Sequence, residues 1–121
     1  MKSGNVALEK SYHFALDIIV VYKRLQQAKE FTMGKQLLRC GTSIGANVEE
    51  AIGGHSKHDF AWKISIAYKE AREAHYWVRL LVDSGYLDVE DARPLLQKAD
   101  ELMRILGSIQ KTVLGRNFIK K

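Results

Sequence analysis

The sequence predicts an all-α fold, an antiparallel up-down-up-down four-helix bundle, on three observations. Apolar residues recur three and four apart through nearly the whole chain, the spacing that lines one face of an α-helix. One proline among 121 residues leaves room for long uninterrupted helices. The breaks between the periodic stretches are short, and short connections make sequential helices antiparallel neighbours. The helices are expected at about 5–30, 33–53, 57–84 and 88–115. The whole chain is expected to form one domain, long enough to bury a core without disulfides or metals.

Ser3 or Asn5 is a suitable cap for the first helix, because a short polar side chain can accept a bond from a free N–H of the first turn. Phe14, Ile18, Val21 and Leu25 step by four, three and four and form its core seam. Tyr12, Leu16, Ile19 and Val20 lie largely on the other side. A helix apolar nearly all round is usually covered on both sides, and in so small a chain a second subunit is an expected cover. Thr32 is the expected cap of the second helix, whose seam is Leu37, Ile44, Val48 and Ala51. Gly34, Gly41 and Gly45 share one flank of that seam. Each mid-helix glycine costs about 1 kcal/mol relative to alanine, so three on one flank predict another helix backbone close by. Gly53 and Gly54 are expected to end the helix through a left-handed conformation.

Ser56, three residues before Asp59, marks the start of the third helix as an approximate capping box. Phe60, Ile64, Ala67, Ala71, Ala74, Val78 and Leu81 then alternate steps of four and three without a miss, the strongest periodic signal in the chain. Trp62, Ile66, Tyr76 and Leu80 lie on the far side, where so much apolar surface again predicts a partner. After a turn at Ser84, Gly85 and Tyr86, Asp88 is the expected cap of the fourth helix. Glu90 and Asp91 sit well in its first turn, where the helix dipole favours negative charge. Pro94, falling within the early turns, predicts a kink or a loosened first turn. Leu95, Ala99, Leu102, Leu106, Ile109 and Val113 complete the seam.

Apolar residues make up 46% and charged residues 27% of the chain, ordinary for a soluble globular protein. With one cysteine, Cys40, no internal disulfide is available, and a reducing cytoplasm is the expected setting. The N-terminal MKSGNVALEKSYHF lacks the apolar core of a signal peptide. The most apolar run, Phe14 to Tyr22, is interrupted by Asp17 and is too short to span a bilayer. The net charge is +5, and no acidic residue follows Glu101. The candidates for binding nucleic acid are Lys23, Arg24, Lys29 and Lys35 around the first turn, and Arg104, Lys111, Arg116, Lys120 and Lys121 toward the end. No helix-turn-helix, zinc finger or aromatic stacking platform is evident in the sequence. Binding of this kind is therefore expected to be electrostatic, sequence-tolerant and salt-dependent.

The stretch QLLRCGTSIGANVEEA (36–51), followed by SKHDF (56–60) and KISIAYKEAREAHYW (63–77), resembles the four-helix bundle proteins named for the 23S rRNA intervening sequence. The resemblance covers nearly the whole chain. The family pattern falls on Gln36, Arg39, Ser43, Asn47, Glu50, Asp59, Phe60, Lys63, Glu70, Glu73 and Trp77. Cys40 departs from it, standing where the family more often has serine. The resemblance implies a bundle that assembles into a homopentameric ring. It also implies a distant likeness to the accessory protein of diversity-generating retroelements, a basic ring that binds a reverse transcriptase and nucleic acid. It implies no settled biochemical activity.

Arg39, Ser43, Asn47 and Glu50 form a polar stripe beside the core of the second helix. In an antiparallel pair they face Lys63, Glu70, Glu73 and Trp77 of the third. Arg39 with Glu70 or Glu73, and Glu50 with Lys63, are the expected pairs. Two readings are open for this stripe: a semi-buried network that fixes register or subunit contacts, and a functional pocket. A carboxylate di-metal site needs a Glu-x-x-His motif that the sequence lacks. His55 and His58 alone make a poor metal site, and His13 and His75 read as surface or boundary residues. Arg39 beside Cys40 is the one feature that favours a reactive thiol, but no spacing identifies the base a nucleophile needs. The sequence thus points to a non-enzymatic assembly without cofactors. It associates with RNA or other nucleic acid or, alternatively, acts as an adaptor ring that recruits a partner enzyme such as a reverse transcriptase. The oligomer contacts are expected at Tyr12, Leu16, Ile19, Val20, Trp62, Ile66 and Leu80.

Overall fold

A computed structural model describes residues 2–119, apart from the side chains of residue 3 and residues 114–119. The described residues form four helices and no strand: α1 (Lys2–Gln27), α2 (Thr32–Ile52), α3 (Lys57–Asp83) and α4 (Val89–Ile119). Each helix packs on the next, and α4 closes back on α1. The diagonal pairs α1–α3 and α2–α4 make no close backbone approach. The four seams meet in one apolar core: Phe14, Ile18, Leu25, Leu37, Ile44, Ile64, Leu81, Leu102 and Leu106 are all fully buried. Phe60 and Val113, at the seam ends, are half-buried.

The helix ends depart from the sequence reading in instructive ways. The first helix starts at Lys2, before Asn5, and stops at Gln27 instead of near Glu30. Lys29 adopts a left-handed φ of 60°. Glu30 N–H bonds Leu25 O at 2.9 Å and Lys29 N–H bonds Gln26 O at 3.0 Å, the paired closure that ends many helices. Thr32 is not the cap of α2. The Glu30 carboxylate takes that role, accepting from Met33 N–H at 2.8 Å. Gly53 has a φ of −83° and so is not left-handed. Gly54 matters for another reason: a Cβ there would collide with the Asp59 carboxylate. Ser56 does cap α3, its hydroxyl accepting from Asp59 N–H at 3.0 Å. At the end of α3, Gly85 (φ 89°) makes the left-handed closure, with Tyr86 N–H on Leu81 O at 2.9 Å. Helix α4 begins at Val89 and continues through Pro94, whose missing N–H leaves one bond unmade without ending the helix.

The glycine flank of α2 packs on α1. A Cβ on Gly41 would lie 2.8 Å from both Cγ1 and Cγ2 of buried Ile18. At Gly45 it would meet the backbone oxygen of Ser11 at 3.4 Å, and at Gly34 it would meet Leu25 Cβ at 3.4 Å. The contacting pairs run in opposite order along the two helices: 34 with 25, 41 with 18, 45 with 11. The α1–α4 seam follows the same rule, with Lys10–Glu101 and Arg24–Asp91 ion pairs at 3.1 Å each and Asp17–Lys98 between them.

These contacts predict opposite outcomes for two similar substitutions. Gly41→Ala drives a methyl into a stiff β-branched side chain, and such overpacking costs about 1–3 kcal/mol. That exceeds the helix propensity gained, about 1 kcal/mol, so the denaturant midpoint falls. Gly34→Ala meets only ordinary contact distance, keeps the propensity gain and raises the midpoint.

Candidate functional site

Arg39, early in α2, reaches the middle of α3 and has three partners. Its Nη1 donates to Glu70 Oε2 at 3.0 Å, and its Nη2 donates to Glu73 Oε1. Its Nε donates to Gln36 Oε1 at 3.3 Å. Trp77 Nε1 donates to the same Glu73 oxygen at 3.2 Å. At the other end of the helix pair, Lys63 Nζ donates to Glu50 Oε1 at 2.8 Å. Between them, Asn47 Nδ2 donates to Ser43 O at 2.8 Å and Ser43 Oγ at 2.9 Å. Within the chain the stripe is therefore three local groups, not one continuous network. It is also more open than a semi-buried stripe: Glu70 is 15% exposed, but Arg39 is 49% and Glu50 57% exposed.

The Arg39 hydrogen bond holds the Glu73 carboxyl below the usual carboxylate range, against the opposing effect of burial and with help from Trp77. The Arg39 guanidinium is raised in turn, chiefly by the Glu73 bond, and Lys63 is raised chiefly by Glu50. The neighbouring Cys40 is fully buried, and its Sγ donates to Leu37 O at 3.5 Å. Burial pushes the thiol up to about 12, and the Glu73 charge adds to that; Arg39 pulls the other way and loses. A thiol so protonated at neutral pH is a poor nucleophile.

Among the described residues, no group of three or more His, Cys, Asp and Glu side chains is placed to hold a metal ion. His55 lies in the α2–α3 turn and His58 at the start of α3, both exposed. His75 Nε2 lies 3.3 Å from Asp100 Oδ1 and so links α3 to α4. No described helix is long and apolar enough to cross a membrane.

The basic candidates separate. Lys23, Lys29 and Lys35 are exposed around the α1–α2 turn. Arg24 stands apart, because Asp91 engages it. Arg104 and Lys111 are exposed on α4. Lys120 and Lys121 lie outside the described residues, and of Arg116 only the backbone, in α4, is described. The candidate contact residues form two strips. Tyr12, Leu16 and Val20 are exposed on α1, with Tyr12 64% exposed, and Ile19 is half-buried beside them. Trp62 (60% exposed) and Leu80 are exposed on α3, with Ile66 half-buried. Sequence reasoning passed over Arg72 and Arg79, both exposed on α3. The Arg79 guanidinium lies 5.9 Å from the centroid of the Tyr76 ring. Arg72, Tyr76 and Arg79 step by four and three, so the rule that found the core seam would have found this exposed line too.

The sequence profile described as 23S rRNA-intervening sequence protein matches residues 4–108. The chain belongs to that family. A crystal structure of a protein of unknown function from the S23 ribosomal protein family of Bacteroides thetaiotaomicron is similar to this chain, with 44% identity and a TM-score of 0.87. The likeness covers 90% of this chain and 98% of that one. No curated protein matches the chain. In this family member the matched stretch contains the whole Arg39 cluster and stops just short of Lys111.

The cluster has a pH signature. Glu73 has a depressed carboxyl in the folded chain, so its contribution is present above the unfolded carboxylate value, about pH 4.3. It is lost as pH falls through the lower folded value. Exposed ion pairs are worth about 0.2–1 kcal/mol, and shielded Glu70 adds the cost of a carboxylate left without its partner. Arg39→Ala is therefore expected to cost about 1 kcal/mol at neutral pH and to reduce the loss of stability below pH 4. Thermal melts of both proteins from pH 7 to pH 3 check it. Unchanged melting together with unchanged assembly mass in Arg39→Ala would leave the cluster without a structural role.

Proposed function

We propose that this family member is a non-enzymatic assembly module of the cytoplasm. It forms an up-down-up-down bundle that associates with copies of itself into a ring, five-membered as the family resemblance implies. The assembly binds nucleic acid, RNA foremost, on its basic surfaces. The observation that carries the reading is the unpartnered apolar line of α1. Tyr12, Leu16 and Val20 are exposed four residues apart, on a helix whose opposite face already fills the core. Fully burying one such side chain stabilises by about 1.5–3 kcal/mol, so a partner that covers all three gains substantially.

The second apolar strip, Trp62 and Leu80, is on α3, the helix diagonal to α1. Two different strips on diagonally placed helices suit a head-to-tail contact, the type that closes into rings. The opposite order of the α1–α4 ion pairs supports the winding. The fully buried, protonated Cys40 supports the non-enzymatic reading. The net charge of +5 and the exposed lysines of the α1–α2 turn support polyanion binding. A ring would repeat each basic patch and raise avidity without new contacts.

Light scattering with absorbance at 260 and 280 nm on the same peak tests both halves. The native protein is expected to run as a multimer whose excess 260 nm absorbance disappears at high salt. Leu16→Asp is expected to reduce the mass to that of one chain with helical content unchanged, because Leu16 takes no part in the monomer core. A native monomer would overturn the assembly reading. A clean multimer that binds no added RNA would overturn the nucleic-acid half and leave a protein-binding adaptor ring.

A further inference from the structure

Many of this chain's cations are engaged by its own carboxylates. Lys10, Arg24 and Lys98 join α4 to α1, Arg39 and Lys63 join α2 to α3, and Arg93 pairs with Glu90. The face shared by α3 and α4 is different. Arg72, Arg104 and Lys111 are exposed there, and no carboxylate among the described residues forms an ion pair with them.

Two contacts fix how these residues are placed. The Tyr68 ring lies over Gly107, where a Cβ would sit 3.3 Å from Tyr68 Cε2. His75 Nε2 lies 3.3 Å from Asp100 Oδ1. Arg72 falls between Tyr68 and His75 on α3, and Arg104 falls between Asp100 and Gly107 on α4. The two arginine positions therefore occupy the same interval along the helix pair. Lys111 follows Gly107 by about one turn. Arg79 follows His75 by about one turn, and its guanidinium lies 5.9 Å from the centroid of the half-exposed Tyr76 ring. The acids of this interval are engaged by other groups: Asp100 lies against His75, Glu101 pairs with Lys10, and Glu70 and Glu73 pair with Arg39.

Like charges side by side repel, and here no carboxylate pairs with them. The arrangement suits an external polyanion. We infer that the α3–α4 face, around Arg72, Arg104, Lys111 and the Arg79–Tyr76 pair, is the seat of a single-stranded nucleic acid. The cations meet successive phosphates, and Tyr76 offers a ring on which a base stacks. The ring decides for a single strand, because a duplex hides its base faces while an open strand can stack on aromatic side chains. This inference rests on the nucleic-acid reading above and moves its main surface away from the α1–α2 turn.

Fluorescence anisotropy with the full chain and a labelled mixed-sequence RNA of roughly 20 nucleotides, single-stranded and as a duplex, tests it over a range of salt. The native protein is expected to prefer the single strand. Arg72→Glu with Arg104→Glu is expected to weaken binding at least about tenfold near 0.1 M salt. It should also flatten the slope of log affinity against log salt by about 1.4, the share of two phosphate contacts. Tyr76→Ala is expected to weaken binding about tenfold with the slope unchanged. Lys23→Glu, Lys29→Glu and Lys35→Glu together are expected to do less than the double reversal. Arg72→Gln with Arg104→Gln gives the same readout should the reversal not fold, and circular dichroism and assembly mass control each variant. Native binding with the double variant unaffected would overturn this placement alone. A preference for the duplex would overturn the single-strand assignment. No binding of either RNA by the native protein would overturn both this inference and the function it rests on.

Discussion

Ile18 occupies the space that any side chain on Gly41 would need, and much of the bundle's shape follows from that contact. Helices that meet through ordinary side chains stand about 8–10 Å apart. Here α2 presents Gly41 to the branched carbons of Ile18 and Gly45 to the backbone of Ser11, so α1 settles closer than leucine-on-leucine packing would allow. Ser11 is buried by this approach, and its hydroxyl donates to Leu8 O at 3.1 Å, so the polar atom is not stranded. With α1 seated so deeply, its inner face serves the core and its outer face is left without cover.

An apolar seam alone leaves register loosely defined, because a shift by one heptad still sets apolar residues against apolar residues. The α1–α4 ion pairs remove that freedom. Lys10, Asp17 and Arg24 are seven apart and alternate in sign. They meet Glu101, Lys98 and Asp91 in reverse order. Slipping α4 by seven residues one way would set Asp17 near Asp91 and Lys10 near Lys98; the other way it would set Arg24 near Lys98 and Asp17 near Glu101. Each exposed pair is worth only about 0.2–1 kcal/mol, so the ladder adds little to stability. Its force lies in the contrast between registers, since a slip either way replaces three attractive pairs with two repulsive ones. Arg39 does similar work between α2 and α3, where it bridges two carboxylates a turn apart.

What could be read from the sequence follows from how local the cause is. The four helices and their seams were legible because periodicity is written in consecutive residues: each fully buried large side chain of α1 to α3, apart from Cys40, sits on a seam that spacing alone identifies. The tight α1–α2 contact was legible from three glycines on one flank. The Arg39–Glu70–Glu73 group was legible because opposite charges stood at matching heights on successive helices. The ends were not. Lys29 takes a conformation that composition assigns to glycine, and Glu30 outcompetes Thr32 because its longer side chain reaches back to Met33 N–H. The division of the polar stripe into three groups depends on side-chain reach, which spacing does not encode. The α1–α4 ladder joins the two ends of the chain, and reading it requires knowing that those ends are neighbours. Arg72 and Arg79 were overlooked because they lie within the segment where the core signal is strongest.

The outer line of α1 also carries information about what can cover it. Glu9 stands three residues before Tyr12 and Lys23 three residues after Val20, and both are exposed. A charge and the apolar line thus share one face, with the charges at its two ends. Burying either charge without a partner costs several kcal/mol, more than one additional apolar contact returns. A covering surface that slid along the helix by about a turn would gain little and bury a charge at one end. The line therefore accepts a short apolar ridge about three turns long, flanked by groups that can answer a carboxylate at one end and an ammonium at the other. Such end charges favour one docking position over general stickiness.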